Sequence, residues 1–449
     1  MNLTNTTTSP SALPPPASFL KPLPPLISGV PDSIVLVILP IAAYWVLSLF
    51  FHFLDVRDLL ASYRLHTPEE VLKRNHVTRR EVVRDVIVQQ VIQTIVGLAI
   101  GVSEPEEMIG GESWEIMDLY SKLVSAERWV LRGLATTVGI DGLALEDKVI
   151  AGINSIGGDK VLAGLMGVLG LDGRIGSSPE MGDWRYKLVE IAYWYLLPAA
   201  RFWIAIFIMD TWQYFLHRLM HEVKWLYKTF HSRHHRLYVP YAFGALYNHP
   251  FEGLLMDTIG AGIAYKISGL KIRGAMTFFT FSTMKTVDDH CGYALPFDPL
   301  QYFFWNNAGY HDVHHQGWGI KTNFSQPFFI CWDRWLGTQW TGGDVSARYA
   351  ASREKAAEQL AKDGIAPKQE GNISASIPEK GVNSTVYING GGANGLKPRM
   401  PNGKLKMQAD ETRRQVPDTD GSSVLREERN EETAAENLRL RTRVNGIVR

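Results

Sequence analysis

Three short histidine clusters beside long apolar segments restrict this chain more than any other feature. Ten of its thirteen histidines lie between His217 and His315. Eight of the ten fall in HRLMH (His217, His221), HSRHH (His231, His234, His235) and HDVHH (His311, His314, His315), with His249 and His290 between the clusters. Residues three and four apart share a helix face, so each cluster presents rings to a common ligand if its segment is helical. A single HxxxH is a weak signal, and here Arg218-Leu219-Met220 replace the glutamate-bearing gap of a zinc-protease helix. Two HxxHH clusters together with an HxxxH point to one shared metal site. A thiolate-free, imidazole-rich set suits iron or zinc better than magnesium or calcium. Eight to ten imidazoles exceed what one ion of ordinary coordination number takes, so the count implies two ions. Cys291 and Cys331 cannot build a disulfide framework and are expected to stay reduced.

The apolar segments place this chemistry at a membrane. SIVLVILPIAAYWVLSLF (33–50) has no charge and runs on into Phe51-His52-Phe53, long enough to span a bilayer, with Pro40 as a tolerable kink. VIVQQVIQTIVGLAIGV (86–102) carries three glutamines, so a re-entrant or interfacial helix rivals a span. Between them lie Arg57, Arg64, Lys73, Arg74, Arg79, Arg80 and Arg84, a basic bias that favours the cytoplasmic side. His66 and His76 stand isolated in this polar stretch and read as surface histidines. VEIAYWYLLPAARFWIAIFIMDTWQYFLHRLMH (189–221) starts as an aromatic-rich apolar helix and runs into the first cluster. Residues 252–285 read as a helical hairpin or two poorly spanning helices. Residues 103–188 read as an ordinary connection in which the short apolar run 161–173 does not span.

The expected fold is therefore all-α: a polytopic integral membrane protein with a cytosol-facing, histidine-rich di-metal helical domain. The expected division is a disordered N-terminal tail (1–30), N-terminal membrane helices with their connection (31–188), a catalytic domain with the histidine boxes (189–342) and a disordered polar C-terminal tail (343–449). Within that tail, ASREKAAEQLAK and the final EERNEETAAENLRLRTRV read as short exposed helices. The N-terminus is no cleavable signal peptide, and the sequons at Asn2, Asn5, Asn372 and Asn383 matter only in a lumenal setting. Zero net charge and the lack of a basic stripe argue against nucleic-acid binding.

Five carboxylates lie close enough in sequence to orient imidazole N–H groups: Asp210, Asp288, Asp289, Asp312 and Glu252. Solvent contact or helix capping is the plainer alternative for each. Tyr310, Asn306 and Asn307 are further candidates for polar support. Trp305, Trp318, Trp332, Trp335 and Trp340 fit interfacial anchoring and ordinary packing equally well.

With both HxxHH boxes in place, the chain resembles the fatty acid hydroxylase superfamily of membrane di-iron enzymes, which includes sterol desaturases and sterol methyl oxidases. It is more closely similar to the fungal sphinganine C4-hydroxylases over roughly 33–103 and 185–342. The resemblance rests on YRLHTPEEVLKRN (63–75), TFHSRHHRLYVPYAFGALYNHPFE (229–252), TVDDHCGY (286–293) and WNNAGYHDVHHQGWGIKTNFSQPFFICWDRWLGT (305–338). It implies metal ligation by His217, His221, His231, His234, His235, His290, His311, His314 and His315. His249, in the NHPFE element, would be a tenth ligand or an outer residue. Some members carry a histidine where this chain has Thr286, so the ten-histidine pattern is not copied in full.

The resemblance further implies a monooxygenase that uses two iron ions and O2 to hydroxylate C4 of sphinganine or dihydroceramide, giving phytosphingosine or phytoceramide. Zinc can replace the iron in a purified sample. No heme-binding His-Pro-Gly-Gly pattern occurs, so electrons from NADPH would come through a separate cytochrome b5 and its reductase. Ceramide synthase is a further candidate partner, and the expected location is the endoplasmic reticulum membrane. The alternatives are sterol C4-methyl oxidation or a lipid desaturation and, in another class, a catalytically inactive or zinc-loaded membrane scaffold.

Overall fold

The computed structural model describes residues 15–138, 148, 184–343 and 345–363, and the elements there are almost all helical. They form two compact units. Among the described residues, one comprises 15–32, 103–138, 148, 184–204 and 269–274; the other comprises 33–102, 205–268, 275–343 and 345–363. The apolar run 161–173, all four sequons and the terminal helix expected near 427–444 lie outside the described residues.

In the first unit, Lys21–Pro22 pairs antiparallel with Met108–Ile109. Part of the tail expected to be disordered therefore carries structure. Gly110 has φ +95, and a Cβ there would lie 2.3 Å from the Phe19 carbonyl oxygen, so this corner requires glycine. The connection after it contains the helix Glu112–Val138. Ile116 on this helix packs in one cluster with Tyr186, Val189 and Tyr193. Tyr193 donates to Glu115 at 2.6 Å, and Arg185 pairs with Glu127 at 2.9 Å.

Among the described residues, three helices are long and apolar enough to cross a membrane: Asp32–Val56, Arg79–Gly101 and Trp184–Glu222. Pro40 lies inside the first. The third is continuous through a π-helical turn at Ala192–Leu196. Leu49, Phe50 and Phe53 of the first helix and Val88, Val91 and Ile95 of the second are exposed, as lipid-facing positions are. These spans mark a membrane protein.

The second helix also shows where its glutamines go. Gln90 accepts from the Trp45 indole at 3.0 Å, Gln93 donates to the Gly253 carbonyl at 3.4 Å, and Gln89 donates to Asp257 at 3.3 Å. Each amide finds one partner inside the protein, although Gln89 Oε1 and Gln90 Nε2 are buried without one, and the apolar face stays outward, so three glutamines are compatible with a span.

The expected hairpin comprises helical turns from Pro250 to Ser268, including a π-helical turn at Leu254–Ile259, followed by the helix Ile272–Asp289. The basic loop holds a correction. His66 is buried, not a surface histidine, and both ring nitrogens face carboxylates: Glu70 at 3.1 Å and Asp312 at 2.9 Å. His76 is half-buried, with its ring against Tyr238.

Glu70 lies on α1 (Pro68–Arg74), whose N-cap Thr67 forms a capping box with Glu70 itself. Against α1 packs α2 (Ser346–Lys362), inside the tail expected to be disordered. It is not simply an exposed helix, since Tyr349, Ala356 and Leu360 are buried and Tyr349 donates to Asp312 at 2.5 Å. Tyr349→Phe removes this charge-assisted bond and is expected to cost about 2 kcal/mol. Thermal unfolding of the detergent-solubilised protein would read this as a lower Tm.

Candidate metal centre

Each histidine cluster is held by a helical element. His217 and His221 occupy the last turns of the helix Leu197–Glu222. His231, His234 and His235 lie on a single 3-10 segment, His231–Arg236. His311, His314 and His315 lie on the helix Ala308–His315, which Asn307 caps by accepting from the Tyr310 N–H at 3.0 Å. His290 directly follows the helix Ile272–Asp289.

The nine rings sort into two groups. His217, His221, His231, His235 and His314 form the first; His234, His290, His311 and His315 form the second. Within each group the candidate donor atoms lie within 4.8 Å of one another. Each HxxHH box is therefore divided. The i and i+4 rings of the second box face the first group and its middle ring the second; the third box does the reverse. Adjacent residues on a helical turn point roughly 100° apart, so a neighbouring histidine pair serves two centres at once.

The nitrogen geometry fits metal ions. In the first group the Nε2 atoms of His231 and His217 are 3.1 Å apart, those of His235 and His231 3.1 Å, and those of His235 and His221 3.2 Å. In the second, His311 lies 3.1 Å from both His290 and His315, and His290 lies 3.4 Å from His234. Donors sharing one ion at about 2.1 Å lie roughly 3–4 Å apart.

Six of the nine rings are anchored at the opposite nitrogen. Nδ1–H donates to backbone carbonyls from His217 (Phe324, 2.8 Å), His234 (Tyr247, 3.1 Å), His290 (Thr286, 2.8 Å), His314 (Thr322, 2.7 Å) and His315 (Leu237, 2.8 Å). His231 Nδ1–H donates to Glu252 at 2.5 Å. These bonds fix the tautomer that leaves Nε2 free to ligate, the usual support of a metal-bound imidazole. His314 Nε2 is buried with no hydrogen-bond partner, as a ligating atom awaiting an ion would be. Burial also keeps these rings neutral, pushing His231 and His290 down to about 3 and His234 to about 4, with His231 adding to the effect at His234. The two groups are thus compatible with a metal site.

His249 joins neither group. It is half-buried, N-caps the short helix Pro250–Gly253 and accepts at Nδ1 from the Phe251 N–H at 3.2 Å. Of the five carboxylates, Glu252 alone meets one of the nine imidazoles by hydrogen bond. Asp210 instead accepts the N–H groups of Phe328 and Phe329 at 3.2 and 2.6 Å. Asp288 accepts from Gln301 at 2.9 Å, Asp289 pairs with the buried Lys285, and Asp312 accepts from His66, Tyr349 and Gln316.

His66 is a charged pillar of this outer layer. Burial alone would lower its pKa, but the Asp312 and Glu70 carboxylates raise it to about 9. Asp333 is the other unforeseen support. Fully buried, it accepts from Phe324 N–H, Ser325 N–H, Tyr310 O–H and Thr338 O–H at 2.6–3.0 Å. Asn306 likewise braces the loop, donating to the Ser325 carbonyl at 3.1 Å. The tryptophans divide: Trp305 and Trp335 are exposed, whereas Trp340 is buried against Trp318 and Trp332 stacks on Tyr214.

A cavity of about 30 Å³ adjoins the second group, enough for about two water-sized groups. His231, His234, His290 and His311 line it together with Gln213, Asn248, Glu252, Asp257 and Asp289.

Helical membrane spans around two buried imidazole groups define a membrane protein of the histidine-box type. The fatty acid hydroxylase family profile matches residues 202–338. The chain is 42% identical to the Saccharomyces cerevisiae protein named sphingolipid C4-hydroxylase SUR2, over 73% of its own length and 77% of that protein's. It is 37% identical to Arabidopsis thaliana sphinganine C4-monooxygenase 1, over 69% and 88% of the two chains. It is also 36% identical to a rice (Oryza sativa subsp. indica) protein named very-long-chain aldehyde decarbonylase GL1-9, over 67% and 85%. No solved structure matches. The chain belongs to the fatty acid hydroxylase family, on the branch of the sphingolipid C4-hydroxylases.

Proposed function

We propose that this chain is a membrane monooxygenase that hydroxylates C4 of a sphingoid base, sphinganine or its N-acyl form. The observation that carries the reading is the division of nine imidazoles, eight of them buried, into two converging groups, in a chain this similar to named C4-hydroxylases. The first group would hold one ion through His217, His221, His231, His235 and His314, and the second group the other through His234, His290, His311 and His315. Bound there, two iron ions would supply O2 activation and the oxidation of an unactivated methylene. The chain's own residues prepare that step. Imidazoles add no negative charge to the ions they hold, unlike carboxylate ligands. Nδ1 bonds to backbone carbonyls orient His217, His234, His290, His314 and His315, Glu252 fixes His231, and burial keeps bulk water from the reacting centre. The cavity beside His234, His290 and His311 is where substrate would approach.

Electrons from NADPH would arrive through a separate cytochrome b5. The basic stretch between the first two spans supports a cytosolic face for the histidine boxes in an endoplasmic reticulum membrane. Expression in a host lacking its own C4-hydroxylase, followed by mass spectrometry of long-chain bases, tests the reading. A 4-hydroxylated base is the expected product. Altered 4-methylsterols, or alkanes formed from long-chain aldehydes, with no such base would instead assign the chain to another family chemistry.

A further inference from the structure

The carboxylates lining the cavity beside the second histidine group are not equivalent. Glu252 is engaged by His231 and Asp289 by Lys285. Asp257 meets neither a histidine nor a cation among the described residues. Its Oδ1 and Oδ2 accept only the side-chain amides of Gln213 and Gln89, each at 3.3 Å. The cavity wall also keeps acceptors in reserve: Glu252 Oε2 and Asp289 Oδ2 are buried with no hydrogen-bond partner. An enclosed carboxylate is costly unless a positive or hydrogen-bond-donating group meets it. A phosphate would be repelled here, and a lone sterol hydroxyl would leave most acceptors unmet. An ammonium flanked by hydroxyls brings both charge and donors. The cavity, at about 30 Å³, suits such small groups and not an amide-linked second chain.

Resting on the C4-hydroxylase reading, we propose that Asp257, aligned by Gln89 and Gln213, binds the amino group of a free long-chain base. The amino group is on C2, two bonds from C4, so holding it fixes which methylene faces His234, His290 and His311. Asp257 is on this account a specificity residue for the free base over its N-acyl form.

The test uses the full chain reconstituted in lipid with its electron donor, assayed with sphinganine and with a short-chain dihydroceramide. Asp257→Asn is expected to raise KM for sphinganine roughly tenfold or more, the loss of one charge-assisted contact. Bound metal, and both turnover and KM with dihydroceramide, are expected to stay within about twofold. An unchanged KM for sphinganine, or equal rises for both substrates, overturns the proposal. A measurement on the unmodified protein guards against a variant that fails to fold. A long-chain amine should inhibit at least about tenfold more strongly than its N-acetyl analogue, and equal inhibition overturns the proposal. If the unmodified protein forms no 4-hydroxylated base, the C4-hydroxylase reading fails by itself, apart from the role of Asp257.

Discussion

His234→Ala is expected to abolish hydroxylation and to remove about one metal ion per chain. The second group has four imidazoles, one fewer than the first, so it has the smaller reserve of ligands. His234 is its sole contribution from the second box and is anchored through Nδ1 to the Tyr247 carbonyl. Deleting the ring leaves His290, His311 and His315 around an opened position. Losing one ligand of a closed set typically weakens binding by far more than losing an outer support, which itself costs about 10–100-fold. Metal content by elemental analysis, beside long-chain-base mass spectrometry, checks the prediction. Normal metal and normal product together would remove His234 from the ligand set.

Asp333→Ala is expected to destabilise the protein by roughly 4 kcal/mol or more, because three buried donors and the half-buried Thr338 hydroxyl lose their acceptor and each unmet group costs about 1–3 kcal/mol. The damage should reach the metal centre, although Asp333 touches no histidine. Its Oδ1 and Oδ2 hold the N–H groups of Phe324 and Ser325, and the Phe324 carbonyl in turn accepts from His217. The Phe324 ring also lies 5.3 Å from His221 and 5.7 Å from His314. Thermal unfolding in detergent should show a large drop in Tm, and metal should be lost from the first group. Asp333→Asn, which keeps one acceptor oxygen, should be milder. Equal stability of Asp333→Ala and the unmodified protein would refute this account.

Much of the centre was legible because helical spacing is a local property. HxxxH and HxxHH place rings on shared faces, and the structure brings nine of those rings together in two groups. The division of each box was not legible, since which group a ring faces depends on packing partners far along the chain. His66 was misread for the same reason: its neighbours in sequence are polar, and its decisive partner Asp312 is 246 residues away. Asp312 and Asp210 looked like acceptors for the clustered imidazoles by spacing alone, yet tertiary contacts gave Asp210 two backbone N–H groups and gave Asp312 the distant His66 ring, Tyr349 and Gln316. His249 carried the resemblance to a His-Pro box, but its ring is used to cap a helix. The glutamines of the second span weighed against a membrane crossing only while their partners Trp45, Gly253 and Asp257 were out of view.

The alternation of the two HxxHH boxes has a thermodynamic consequence. His234 and His235 share one backbone turn, as do His314 and His315, yet each pair reaches into both groups. Ordering that turn around a first ion removes conformational freedom that a second ion would otherwise have to remove. If each group holds an ion as proposed, loading of the two positions would be linked through the main chain itself, and the singly loaded chain would be disfavoured.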